Sequence, residues 1–260
     1  MITNRESGTN VHEIADGIYR INTPIAIPGG PGAFSFNQYL IVDDAPCYSI
    51  PAFDTCLRTY TKRLTVSSRP RACGIYRLSH IEADESGALN EWLTVAPQAE
   101  AVCGRIAAMV SINDMADRPP RVLADGEDLG LGRHTVSWFD TPHMPHGWEC
   151  GLMMERLTKT FLCGDLFTQG GAGETALTES DILESSEAFR APMDYYAHAP
   201  NTGAILERLA RERPTTLACM HGSAWRGDGA GLLRALAERL SESDDVQDRS
   251  IMKKVGAGSS

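Results

Sequence analysis

The chain has 260 residues, of which 42% are hydrophobic, and it carries a formal net charge of -10. This length suits one large domain or two small ones. The acidic balance argues against nucleic-acid partners, which require clustered Lys and Arg. No stretch approaches the ~20 apolar residues that span a bilayer. The polar N-terminus lacks the apolar segment of a signal peptide, and the seven cysteines have no regular spacing. We therefore expect a cytoplasmic protein without a disulfide framework.

The first forty residues favour strands. Residues 11–22 alternate in hydrophobicity around Asp16-Gly17, which predicts a hairpin. Three Pro and three Gly fall within residues 23–32, which predicts a loop. The apolar residues 36–42 predict a further strand, so the chain begins as a β-rich structure.

Residues 47–77 differ in character from both flanks. They contain six basic residues and one acidic residue, so they carry +5 while the rest of the chain carries -15. Their periodicity fits neither a helix nor a strand. We interpret them as an exposed basic helix-loop or as a stretch read out of frame between Cys47 and Leu78. If neither alternative frame of the coding DNA encodes an apolar strand-helix-strand pattern, the frameshift is excluded.

Four candidate metal ligands follow a short apolar strand within six residues: His80, Glu82, Asp84 and Glu85. Alternate side chains of an extended segment point the same way, so His80, Glu82 and Asp84 are expected to converge on one cavity. Glu85 is expected to point into the same cavity from the turn that follows. Open α/β sheets build their sites at such carboxyl ends of strands.

The remaining chain alternates predicted strands with predicted helices. The predicted strands are residues 101–102, 134–139, 151–155, 160–163 and 215–220. The predicted helices are residues 88–95, 104–116, 179–190, 202–213 and 231–240. We predict one domain over residues 1–240, followed by a polar disordered tail over residues 241–260.

Three later strand ends or loops add His146, Asp165 and His221 to the candidate ligands. The full set of three His and four carboxylates is too rich in anionic oxygen for a structural zinc site. Imidazole with carboxylate suits iron, manganese or zinc. Six or seven ligands suit two metal ions that share one carboxylate.

This arrangement resembles the metallo-β-lactamase fold, an α/β protein built as an αββα four-layer sandwich with its metals at the loop ends between two sheets. The first motif of that fold, H-x-H-x-D-H, reads H-I-E-A-D-E at residues 80–85. Glu82 in place of the second His resembles the diiron branch, the flavodiiron and oxygen-binding diiron proteins. Their later pattern of His, eighteen residues, Asp and a distant His is matched by His146, Asp165 and His221.

The resemblance implies a role for each candidate ligand. One metal would be held by His80, Glu82 and His146, the other by Asp84 and His221, and Asp165 would bridge the two. Many family members have His where this chain has Glu85. That change either substitutes a carboxylate for an imidazole or leaves the second metal one ligand short.

Three functions are consistent with these residues. The first is a diiron protein that binds or reduces dioxygen or a related small oxidant, as a metal domain without a flavodoxin module that depends on an external electron donor. The second is a dinuclear hydrolase of an ester, lactone or thioester, and the third is a non-catalytic sensor. Glu82 favours iron over zinc or manganese, because hard anionic oxygens stabilise ferric iron. A homodimer is among the expected assemblies.

Overall fold

The computed structural model describes residues 5, 7–29, 32–49 and 74–242. Within these residues, fourteen strands form two sheets of seven strands each. The predictions for residues 50–73 lie outside the described residues, as do those for the tail beyond residue 242. Residues 241–242 still belong to the last helix. The described part of the chain contains no helix with the length and apolar composition that a membrane span requires.

The first sheet, sheet A, contains its strands in chain order, from β1 to β7. Neighbouring strands are antiparallel from β1 to β4 and parallel from β4 to β7. The strands are β1 Asn10–Ala15, β2 Ile18–Ala26, β3 Ala33–Ile41, β4 Cys47–Ser49, β5 Ile75–Arg77, β6 Glu100–Gly104 and β7 Arg121–Leu123.

The second sheet, sheet B, has the order β12-β14-β13-β11-β10-β9-β8. Its central strands β11 and β13 are parallel, so the residues that follow them emerge at the same edge. The strands are β8 Asp128–Gly130, β9 Thr135–Asp140, β10 Gly151–Glu155, β11 Thr160–Gly164, β12 Leu177–Thr178, β13 Thr216–Cys219 and β14 Ala224–Arg226.

Helices cover the outer face of each sheet. Among the described residues, three helices follow strands of sheet A: α1 Ala83–Ser86, α2 Leu89–Val95 and α3, residues 105–115, which contains a π-helical turn at Ala108–Ile112. Three helices follow strands of sheet B: α4 Leu183–Met193, α5 Thr202–Arg211 and α6, residues 229–242.

Three apolar cores lie between the layers. Because successive side chains of a strand point to opposite faces, neighbouring residues of one strand belong to different cores. In β3, Tyr39 and Ile41 face the core between the sheets, whereas Leu40 faces the helices on sheet A. In β10, Met153 faces the core between the sheets and Met154 faces the helices on sheet B. Strands that are buried on both faces require helices on the outside. The αββα sandwich predicted from the sequence is therefore confirmed.

Two local predictions are wrong. Residues 23–32 are not wholly a loop, because β2 continues to Ala26 and β3 begins at Ala33, with Pro24 opposite Ser35. The ladder between β1 and β2 ends at Asn22, so the missing N–H of Pro24 interrupts no hydrogen bond there. The ends of segment 47–77 are not an exposed helix-loop either, because β4 and β5 pair as parallel strands inside sheet A.

Gly151 permits the close approach of a buried indole, which leads to a prediction about stability. A Cβ atom at this position would lie 1.9 Å from Cζ2 of Trp138, whose Nε1 is anchored to Asp140 at 2.7 Å. We expect Gly151→Ala to lower the free energy of unfolding by about 3 kcal/mol or more in urea denaturation. Gly130→Ala is the matched strand control, because no atom lies within 4 Å of its added Cβ. An equal effect of the two substitutions would contradict the steric explanation.

Candidate metal centre

The predicted ligands meet at one edge of the sandwich, between the two sheets. His80 follows β5 of sheet A, while Asp165 and His221 follow the parallel strands β11 and β13 of sheet B. His146 lies in the loop that joins β9 to β10. Asp84 is in the short helix α1. Residues from distant parts of the chain therefore converge because the carboxyl ends of these strands face the same edge.

The first donor group contains His80, Glu82, His146 and Asp165, which offer ligand atoms within 4.8 Å of one another. The Nε2 atoms of His80 and His146 lie 3.5 Å and 3.2 Å from Oδ2 of Asp165. Each of these Nε2 atoms also lies 3.7 Å from a carboxylate oxygen of Glu82.

The second donor group contains His221, Asp84 and the other oxygen of Asp165. His221 Nε2 lies 3.5 Å from Oδ2 of Asp84 and 3.4 Å from Oδ1 of Asp165. Asp165 thus turns Oδ2 toward the first group and Oδ1 toward the second. A carboxylate placed in this way can bridge two cations.

Hydrogen bonds fix the two most buried imidazoles of the centre with Nε2 directed inward. His80 Nδ1 is 2.9 Å from the Ser79 hydroxyl, and His221 Nδ1 donates to the Ser35 carbonyl at 2.7 Å. Because a carbonyl only accepts, His221 carries a proton on Nδ1 and has a lone pair on Nε2 when it is neutral.

The buried donor atoms fit a cation. In the described part of the chain, His80 Nε2 and Asp165 Oδ1 are fully buried and have no hydrogen-bond partner. An unsatisfied buried polar atom costs about 1–3 kcal/mol. A metal ion at each donor group would satisfy these atoms, and a mixture of imidazole and carboxylate suits iron, manganese or zinc.

The titratable groups also reflect an excess of negative charge. Burial alone would raise the pKa of Asp165, but three neighbouring imidazoles hold it well below its usual range. Burial alone would lower the pKa of His80, but contacts with Asp165 and Glu82 raise it well above its usual range. Burial and the nearby charge of Asp165 raise the pKa of Asp84 to about 6. The carboxylates repel one another in the absence of cations.

Glu85 occupies a different position from the other acidic residues of the motif. It is fully buried, its Oε2 accepts a hydrogen bond from Ser79 N at 3.4 Å, and its Oε1 has no hydrogen-bond partner among the described residues. No ion pair joins it to a described histidine. The chain turns into α1 at Ala83, so Glu82 and Asp84 contribute to different donor groups rather than to one.

Aromatic side chains lie beside the donor groups, and two of them, Phe34 and Phe189, were not identified as site residues from the sequence. The Phe34 ring stacks on His221 with a centroid distance of 4.5 Å, and Tyr195 lies edge-on to His146 at 6.1 Å. Phe189 contacts both of these rings, at 5.3 Å from Phe34 and 6.3 Å from Tyr195. The alternating apolar pattern of β3 was the available signal for Phe34, but its partners are distant in sequence.

The raised pKa of Asp84 leads to a prediction for metal-free protein. Its carboxylate ionises with difficulty in the folded state, so Asp84→Asn should raise the free energy of unfolding at pH 7. At about 1.4 kcal/mol per pKa unit, a rise from 3.8 to about 6 corresponds to a gain on the order of 3 kcal/mol. The gain should shrink as pH falls from 6 toward 3.8, because wild-type Asp84 then binds a proton.

Urea denaturation with a chelator measures this gain. Asp114→Asn, at an exposed position of α3, is the matched control and should leave stability unchanged. A loss of stability in Asp84→Asn at pH 7 would contradict the electrostatic account.

Comparisons with known proteins give the context for this centre. The chain is 26% identical over 210 residues to rubredoxin-oxygen oxidoreductase of Megalodesulfovibrio gigas, covering 76% of this chain and 50% of that protein. It is 26% identical over 207 residues to anaerobic nitric oxide reductase flavorubredoxin of Salmonella arizonae, covering 74% and 42%. It therefore spans about half the length of the curated relatives it matches. No family model matches the chain.

Solved structures agree in fold. A metal-soaked flavodiiron core from Synechocystis superposes with a TM-score of 0.72 at 20% identity, covering 89% of this chain and 60% of that one. The resemblance inferred from the sequence motifs is thus confirmed. The curated relatives and structural neighbours of this chain are flavodiiron proteins, and its fold is that of their metallo-β-lactamase-like core.

Proposed function

We propose that this chain holds two iron ions and binds or reduces dioxygen or a related small oxidant. The observation that carries the proposal is the placement of Asp165, whose two oxygens face two separate donor groups. A single-ion site would not need a buried carboxylate contacted by imidazoles on both sides.

The proposed ligands follow from the two donor groups. His80, Glu82 and His146 would hold the first ion, Asp84 and His221 the second, and Asp165 both. When bound in the ferrous state, the two ions supply electrons to the oxidant. Glu85 is proposed to add negative charge beside the centre without binding an ion.

Four further residues orient or cover the imidazoles of the proposed ligands. Ser79 and Ser35 hold the imidazoles of His80 and His221 in fixed orientations. Phe34 and Tyr195 cover the imidazoles with apolar surface and limit the entry of water. The side chain of Glu82 is 46% exposed, so the open side of the centre lies there.

The relatives support this choice of substrate. Dioxygen and nitric oxide appear in the names of an oxygen oxidoreductase and a nitric oxide reductase that the chain resembles. Both are small and uncharged, which suits a centre lined by aromatic rings. Reduction of either molecule would consume electrons, so an external electron donor belongs to the proposal. Cytoplasmic location and assembly as a homodimer stay predictions.

Metal analysis of the purified full chain tests the proposal. We expect about two iron ions per chain and a change in visible absorbance when the reduced protein meets air. Zinc together with turnover of an ester, lactone or thioester would instead indicate the dinuclear hydrolase, in which the ions activate a water molecule. Absence of both metal and turnover would indicate a non-catalytic sensor.

Substitution of Glu82 tests the preference for iron. Its carboxylate faces both imidazoles of the first donor group, so Glu82→His should replace a hard oxygen ligand with a softer nitrogen. We expect the ratio of bound zinc to bound iron to rise at least severalfold when metal-free protein is reconstituted with equal amounts of both ions. Glu91→His adds the same residue at an exposed position of α2 and should leave the ratio unchanged. An unchanged ratio in Glu82→His would mean that this carboxylate does not select iron.

A further inference from the structure

The turn that carries His221 is hydrogen-bonded to the opposite sheet on both sides of the histidine. The carbonyl of Cys219 accepts hydrogen bonds from Tyr39 Oη at 2.7 Å and Asn37 Nδ2 at 2.9 Å. The carbonyl of Met220 accepts from Asn37 N at 2.8 Å. His221 follows β13 of sheet B, but its position is therefore set from β3 of sheet A.

One edge and one face of β3 provide these contacts. Strand β4 pairs with β3 only at Leu40 and Ile41, which leaves the preceding part of that edge open to the turn. Ser35 lies on the open edge and contacts the turn twice: its carbonyl accepts from His221 Nδ1 at 2.7 Å, and its Oγ accepts from Gly222 N at 2.6 Å. Ser35, Asn37 and Tyr39 are two residues apart, so their side chains share one face of the strand.

Arg20 of β2 adds a charged contact to the same turn. It is fully buried, and its Nη2 donates to Gly222 O at 2.7 Å and to Gly173 O at 2.8 Å. Among the described residues, no carboxylate lies within ion-pair distance of the guanidinium. Burying a cation without a counter-ion costs several kcal/mol, so packing alone would favour an apolar side chain here. A role in keeping the Gly222 carbonyl in place would account for an arginine at this position.

We propose that Arg20 is a positioning residue that fixes His221 at the second donor group by holding the Gly222 carbonyl. Asn37 Nδ2 donates to the same oxygen at 2.7 Å. Gly222 has a φ of +90°, and a Cβ there would lie 2.5 Å from the side chain of Gln169, so only glycine fits at this position of the turn. The inference rests on the proposed function, because it assigns to Arg20 part of the affinity for the second metal ion.

Arg77 provides a matched control for a purely structural role. It is also almost fully buried, and it crosses between the sheets to donate to Gly151 O at 3.2 Å. Its hydrogen bonds go to Gly151 O and Leu162 O, and none goes to the turn at 219–222. Arg77→Met and Arg20→Met therefore remove the same chemical group from the same inter-sheet layer, but only Arg20→Met releases the His221 turn.

Titration of metal-free full-length protein with Co²⁺, followed by visible absorbance, measures the effect. His221→Ala identifies the spectral signal of the second ion. We expect Arg20→Met to weaken binding of the second Co²⁺ about 10- to 100-fold and to leave the first within about threefold. Arg77→Met should leave the second ion bound as in wild type, whatever effect each substitution has on the urea midpoint. Arg20→Lys should recover part of the affinity, because an ammonium group still donates to the carbonyl.

The possible results separate this inference from the proposed function. Wild-type affinity for the second Co²⁺ in Arg20→Met, with or without a loss of stability, overturns the positioning role alone. A wild-type chain that binds only one Co²⁺, whose signal His221→Ala leaves intact, overturns the dinuclear centre and the positioning role together.

If Arg20→Met does not fold, Ser35→Ala removes the acceptor of Gly222 N. Weaker binding of the second ion in that variant supports the role of the clamped turn, and unchanged binding overturns it.

Discussion

The contact of one buried carboxylate with three imidazoles is the interaction on which this structure depends. Asp165 is 6% exposed and lies within about 3.5 Å of Nε2 atoms from His80, His146 and His221. Each imidazole comes from a different part of the chain. The carboxyl ends of β5, β11 and β13 must therefore reach the same edge of the sandwich, and an error in the register of either sheet would separate them. The cores on both faces of each sheet hold that register.

Much of this arrangement is predictable from the sequence because its signals are local. Each of the predicted ligands His80, Asp165 and His221 lies at the end of a short apolar run, and such runs become strands whose ends carry the site. The stripe of Ile205, Leu206 and Leu209 likewise predicts α5 and its buried face. The four-layer sandwich is implied by the resemblance of these motifs to the metallo-β-lactamase fold.

The remaining features depend on contacts between residues that are distant in sequence. Arg20 looks like an ordinary polar residue of a hairpin, yet it bonds to Gly222, 202 residues later. Phe34 lies between the predicted loop at residues 23–32 and the predicted strand at residues 36–42, and only the folded chain shows that it stacks on His221. The end of the β1–β2 ladder at Asn22, which makes Pro24 acceptable in β2, is also a property of the sheet and not of the local sequence.

Two kinds of charged side chain, carboxylates and arginines, are buried in this protein. The buried carboxylate of Asp84 raises the free energy of the metal-free fold, as its raised pKa shows, while Arg20 and Arg77 place cations between the sheets without carboxylate partners among the described residues. Metal ions at the two donor groups would neutralise the carboxylates but would do nothing for the arginines. Each arginine instead donates from Nη2 to backbone carbonyls, including that of Gly222 beside His221. The buried charged groups thus have two different roles. The carboxylates can bind cations, and the guanidinium groups hold the surrounding backbone in place.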